Sequence, residues 1–175
     1  MSRKNTILFS KDYQSLNAEL HQINPGYGAS GKKWIGRIEK IIDEYQPSSI
    51  LDYGCGKGSL KKELETRFNI PIFEYDPAIT GKDNPPSDVD LIICTDVLEH
   101  IEPEYLDNVL QHILNISKIS FLVIACRKGN KFLPDGQPAH LIIQSPNWWE
   151  DKLNEYGSFR CLESVENKHL IGILT

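Results

Sequence analysis

No apolar run in this 175-residue sequence approaches the ~20 residues needed to cross a bilayer, which leaves out a helical membrane span. The opening, MSRKNTILFSKDYQ, carries basic residues but only a short apolar patch, so it lacks the core of a secretory signal, and the expected location is the cytoplasm. Cysteines are few and far apart. Cys55, Cys94, Cys126 and Cys161 form no C-x-x-C pair and read as buried free thiols. Missing too is a basic stripe: the net charge is −5 and the lysines occur as short pairs, Lys32-Lys33 and Lys61-Lys62. That argues against a large nucleic-acid footprint, while a short RNA end or a small molecule stays open as partner. Internal repeats and low-complexity segments are absent, and the length suits one domain.

What is present alternates between strand and helix. A polar helical segment near 12–22 leads into NPGYGASGKKW, a loop punctuated by Asn24-Pro25-Gly26, Gly28 and Gly31. From Trp34 the apolar residues Ile35, Ile38, Ile41, Ile42 and Tyr45 recur at helical spacing, and Pro47 stops the run. Strands follow in SSILDYG, IPIFEYD, VDLIICT and ISFLVIAC, with helices in KGSLKKELETRF and PEYLDNVLQHILNIS. VDLIICT is nearly all apolar and must be covered on both faces. A long irregular segment, RKGNKFLPDGQPAHLIIQS, precedes the short helix PNWWEDKLNEYG, in which one of Trp148 and Trp149 should pack inward. FRCLESV and HLIGILT close the chain as an antiparallel pair. The reading is an α/β protein, a mostly parallel, doubly wound sheet with helices on both faces and one antiparallel strand from the C-terminal hairpin.

ILDYGCGKGSL, residues 50 to 60, packs three glycines into five positions behind an apolar run that ends in an acid. A strand that ends in such a turn and opens a helix is a common nucleotide-type site in α/β sheets, because glycines remove the Cβ atoms that hold a ligand off the backbone. Neither the G-x-x-G close of a dinucleotide loop nor the Gly-Lys-Ser/Thr of a phosphate loop is there, which disfavours nicotinamide cofactors and nucleoside triphosphates. A glycine triplet alone also fits a tight turn without ligand. Asp76, at the end of the next strand, adds a carboxylate where a ribose would present its hydroxyls.

LDYGCGKGSL, FEYDPAI and DLIICTDVLEHIEP together resemble the class I S-adenosylmethionine-dependent methyltransferases, in that family's order, over residues 33–175. The resemblance implies a Rossmann-like fold, with the segment 1–32 as an N-terminal helix and lid-like loop of the same domain. It implies that Asp52, Gly54, Cys55 and Gly56 hold the amino-acid part of the cofactor, that Asp76 binds the ribose, and that Cys94, Thr95 and Asp96 line it. In one respect the chain departs from the family: the stretch between Asp76 and VDLIICT is too short for the usual helix and strand that carry an adenine-binding acid. The sheet should be a strand short. Asp83 and Asp88 are the acids left in that stretch.

Asp96, Glu99 and His100 stand at i, i+3 and i+4, which puts them on one face of a helical turn, with His140 available from the long loop. Two carboxylates and two imidazoles suit a divalent cation such as Mg or Mn. The turn is similar to that of metal-dependent small-RNA 3′-end methyltransferases and of ubiquinone-pathway O-methyltransferases. By that resemblance His100, Asp96 and His140 are the catalytic candidates, and Asp96, Glu99, His100 and His140 the metal ligands. Without a metal, His100 would be the candidate general base. Tyr13, Asn17, His21 and Tyr27 from the N-terminal segment, and Arg127, Lys131, Phe132, Asp135 and His140 from the long loop, would roof the acceptor pocket. The expected function is methyl transfer to oxygen, on a small molecule or an RNA hydroxyl. The alternative is a module of the same fold that binds S-adenosylmethionine or S-adenosylhomocysteine without catalysis.

Overall fold

Ile50–Tyr53 (β1) buries every one of its side chains, so it must lie inside a sheet covered on both faces. The computed structural model describes residues 6–175, and the basic residues among the first five lie outside the described residues. β1 pairs in parallel with Ile72–Tyr75 (β2) on one side and Leu91–Thr95 (β3) on the other. Next to β3 runs Ser120–Ala125 (β4), again parallel. Phe159–Val165 (β5) and His169–Leu174 (β6) form a hairpin, and β6 inserts antiparallel between β4 and β5. The order is β2-β1-β3-β4-β6-β5. Because β5 is reversed twice relative to β4, β6 is the single strand opposed to the others, as the closing hairpin implied.

The described residues form five α-helices, Lys11–Ile23 (α1), Ile35–Tyr45 (α2), Ser59–Glu65 (α3), Leu106–Ile116 (α4) and Pro146–Asn154 (α5), of which α2 to α5 pack on the sheet. Alternate strand residues face opposite sides. Ile50, Ile93 and Phe121 pack with Ile38 and Ile42 of α2 and Leu64 of α3. Their neighbours Leu51, Ile92 and Leu122 pack on the other side with Leu110 and Ile113 of α4 and Trp149 of α5. Trp149 is fully buried in the core, while Trp148 is 37% exposed and lies edge to face on it with ring centroids 5.1 Å apart. Helix boundaries follow local chemistry. Gln46 takes a left-handed φ of 48° after α2 and ends it, and Ser145 caps α5 by accepting from the Trp148 N–H. Pro103 opens a 3-10 turn, Pro103–Tyr105, that runs into α4.

Between β2 and β3 the chain forms neither helix nor strand. β2 is consequently the sheet edge, with Phe73 at 53% exposure, and the strand missing by family resemblance is missing in fact. Cys55, Cys94 and Cys126 are buried free thiols as expected, whereas Cys161 is exposed because β5 is the other edge strand.

Candidate active site

The parallel strands all end at one edge of the sheet, and the loops that leave them there enclose a cavity of about 330 Å³. Its floor comes from Asp52 in β1 and Gly54–Gly56 after it, Asp76 after β2, Thr95 at the end of β3 and Asp96 after it, and Arg127 after β4. Ligands of α/β sheets bind at this edge because the strand ends diverge there and leave a crevice.

Gly54 and Gly56 have φ of 73° and 51°, in the left-handed region. A Cβ on Gly54 would meet Val97 Cγ2 at 2.4 Å, and one on Gly56 would meet the Gly28 carbonyl oxygen at 2.4 Å. The backbone N–H of Lys57 donates to that same Gly28 oxygen at 2.8 Å, and Lys57 Nζ reaches the Asn24 oxygen at 2.8 Å. Part of the room that the glycines provide is therefore taken by the protein's own N-terminal segment, which lies directly over the loop. Spacing within the loop gave no sign of this partner 28 residues upstream.

Asp52 is buried and its Oδ2 has no hydrogen-bond partner. Burial, reinforced by the nearby Glu74 carboxylate and opposed by Lys82, pushes its pKa up to about 8. A buried acid with an unpaired oxygen facing a cavity suits a cationic ligand group such as an α-ammonium. Asp76 is organised differently: Oδ2 accepts from the Gly56 N–H at 3.0 Å and Oδ1 from the Ala78 N–H at 3.0 Å, so backbone donors fix the carboxylate's orientation. His21 of α1 brings Nε2 to 4.0 Å from Asp76 Oδ2, and burial holds its pKa low. Burial pushes the Cys55 thiol well above its usual range, which makes it a packing group rather than a nucleophile.

The acid-histidine turn forms the second half of the site. Asp96 leaves β3 with a φ of 55°, and Leu98–His100 closes a 3-10 turn. Glu99 is fully buried and neither carboxylate oxygen has a partner; burial and the Asp96 charge raise its pKa to about 8. The His100 and His140 rings meet edge to face with centroids 4.7 Å apart. One donor atom from each of Glu99, His100 and His140 lies within 4.8 Å of the others. His140 Nδ1 sits 2.8 Å from the Arg127 carbonyl oxygen, so Nδ1 carries the proton and Nε2 keeps its lone pair. Burial and the adjacent His140 lower the His100 pKa to about 4, which keeps its ring neutral. Two neutral imidazoles and an orphaned buried carboxylate fit a divalent cation.

Asp96 stands apart from this trio. Its Oδ2 is held by Lys33 Nζ at 2.7 Å and by Trp34 Nε1 at 3.0 Å, so the fourth residue of the sequence-derived ligand set is tied to the start of α2 instead. The sequence counted Trp34 with an apolar helix face and left Lys33 without a role.

Above the cavity, α1 meets the long loop in a small cluster of Leu20, Leu133 and Ala139, with Tyr13 and Tyr27 packed on it. Tyr13 donates to the His100 carbonyl oxygen, and Tyr27 donates to Asn17 Oδ1 at 2.9 Å. Tyr13, Asn17, His21, Tyr27, Arg127, Lys131 and His140 line the cavity as expected. Phe132 is 59% exposed and Asp135 caps its own turn by accepting from the Gln137 N–H; neither lines it. Asp83 also accepts within its own turn, from Gly81, and Asp88 lies at the opposite end of the sheet.

The family model described as "Methyltransferase domain" matches residues 28–153. No curated protein matches the sequence. Among solved structures the fold is similar to DhpI in complex with SAH, with a TM-score of 0.58 and 13% identity over 93% of this chain and 97% of that one. It is similar as well to the mitomycin 7-O-methyltransferase MmcR, at TM-score 0.57 and 13% identity over 91% of this chain and 60% of that one. The small RNA methyltransferase HEN1 aligns at TM-score 0.53 and 17% identity, over 79% of this chain and 24% of that one. A glycine loop closing β1, a buried acid on either side of it, a fold shared with an SAH-bound structure and the family match over residues 28–153 converge on one assignment: the chain belongs to the methyltransferase domain family, within the class I S-adenosylmethionine-dependent methyltransferases.

Proposed function

We propose that this protein transfers the methyl group of S-adenosylmethionine to a hydroxyl oxygen of a small molecule or of an RNA end. The observation that carries the reading is that His100 and His140 open into the same cavity as Asp52, Gly54, Gly56 and Asp76, so an acceptor held at the histidines lies beside a cofactor held at the loop. In the transfer, an acceptor oxygen bonds to the methyl carbon as the carbon–sulfur bond breaks and the electron pair returns to sulfur. Alignment is the main requirement, and the acceptor's proton must leave. Asp52 pairs with the cofactor's ammonium and Asp76 accepts from the ribose hydroxyls. A His100 ring lowered to a pKa of about 4 is a weak proton acceptor and a good neutral nitrogen donor, so the geometry favours ligation over general-base work. Glu99, His100 and His140 would hold a divalent cation, which when bound supplies a Lewis acid that makes an acceptor hydroxyl more acidic. Lys33 and Asp96, paired at the cavity wall, orient the acceptor.

One structural relative is named for 7-O-methylation of mitomycin, which supports oxygen as the acceptor atom, and another for small RNA, which supports an RNA end as the acceptor. The test is incubation with methyl-labelled S-adenosylmethionine and cell extract, with chelator or with added manganese, followed by separation into RNA, DNA, protein and small-molecule fractions. Label in the RNA or small-molecule fraction that disappears with chelator supports the proposal. Absence of label in every fraction, with SAH still bound, favours the non-catalytic binding module.

A further inference from the structure

We infer that residues 8–14, the strap that leads into and opens α1, form the wall against which the cofactor's adenine ring binds; this rests on the S-adenosylmethionine reading above. If Asp52 and the glycine loop take the amino-acid end and Asp76 the ribose, covalent order places the base beyond Asp76, on the side away from the loop. The connection that follows Asp76 supplies only its first residues, Pro77 and Ala78, to the cavity. It contains neither helix nor strand, and the two acids in it that the sequence offered lie elsewhere: Asp83 is engaged in its own turn and Asp88 is at the far end of the sheet.

The strap fills that position. Leu8, Phe9 and Gln14 line the same cavity as Asp76, Pro77 and Ala78. Gln14 Nε2 donates to the Pro77 carbonyl oxygen at 2.6 Å, fixing the strap to the residue directly after the ribose acid. Further anchors hold it down: the Ser10 N–H donates to Glu102 Oε2 at 2.7 Å, Asn108 Nδ2 to the Ile7 oxygen at 2.8 Å, and Leu8 packs against the core cluster containing Tyr75 and Val109. The result is a partly buried aliphatic and aromatic surface beside a side-chain amide. A purine has two apolar faces and a hydrogen-bonding edge, which is the chemistry that such a surface complements. The strap thus does the work of the absent helix and strand, with a segment that precedes the sheet in sequence.

The experiment compares SAH with S-ribosylhomocysteine, which keeps the amino acid and ribose but lacks the base. Calorimetric affinities for both are measured with the wild-type protein, Phe9→Ala, Leu8→Ala, Gln14→Ala and Asp76→Ala, with melting temperatures as the folding control. The expected result is that the strap variants lose about tenfold or more in SAH affinity while S-ribosylhomocysteine affinity is unchanged, and that Asp76→Ala weakens both. Strap variants that weaken both ligands equally, or neither, overturn the inference while leaving the cofactor reading intact. Wild-type protein that binds no SAH overturns the cofactor reading and the inference with it.

Discussion

His140 Nδ1 lies 2.8 Å from the carbonyl oxygen of Arg127, thirteen residues away, and this contact fixes the ring edge to face against His100, with centroids 4.7 Å apart. A free loop histidine would sample many orientations. Here the tautomer and the ring direction are set before any ligand arrives.

The trio predicts a specific pattern of metal binding. Manganese titration followed by electron paramagnetic resonance should show a bound ion in the wild-type protein, lost in His100→Ala, His140→Ala and Glu99→Gln and kept in Asp96→Asn. Loss in Asp96→Asn would return that residue to the ligand set. Because the Glu99 pKa is about 8 in the absence of metal, affinity should rise as pH is raised through 8, with proton competition fading only above that value.

Asp52 gives a stability signature as well as a binding one. Its folded pKa of about 8 exceeds the ordinary value of 3.8, so between these limits the native state holds more protons than the unfolded state. Stability from this group is therefore greatest at low pH, falls as pH rises through that window, and levels off above 8. Asp52→Asn should flatten the dependence in thermal melts at pH 5 to 9, raise the melting temperature at pH 8, and abolish stabilisation by SAH.

Gly56→Ala should be costly beyond its one methyl group. The residue sits at a φ of 51° and the new Cβ would meet the Gly28 oxygen at 2.4 Å. Left-handed strain of about 1–3 kcal/mol is expected in urea unfolding, together with displacement of the N-terminal segment and weaker SAH binding. A Gly56→Ala protein with unchanged stability would show that Gly28 moves away freely.

The adjacent tryptophans of α5 should behave very differently. Trp149 is fully buried against the sheet and Trp148 is 37% exposed. Trp149→Ala should destabilise by about 3–5 kcal/mol in chemical denaturation, and Trp148→Ala, which removes only an edge-to-face contact at the surface, by about 1 kcal/mol.

Much of this molecule was legible in its sequence because strand and helix patterns are local. A run such as LIICT can be satisfied only inside a sheet, the spacing of Ile38, Ile41 and Ile42 only on a helix face, and a short β2–β3 connection leaves no chain for another strand. Those patterns fixed the six strands, the single reversed one and the edge where ligands bind. Hydrophobic burial dictates them residue by residue, with no need to know what lies far along the chain. Tertiary structure decided the rest. Asp96 and Glu99 look equivalent in DVLEH, yet a lysine and an indole more than sixty residues upstream claim the first and leave the second buried and unpaired. Likewise Gly28 over Gly56, Gln14 on Pro77 and Arg127 behind His140 are contacts between segments whose separation carries no periodic signal. Charge pairing and close approach depend on where the folded chain brings its distant parts, and only the packed molecule specifies that.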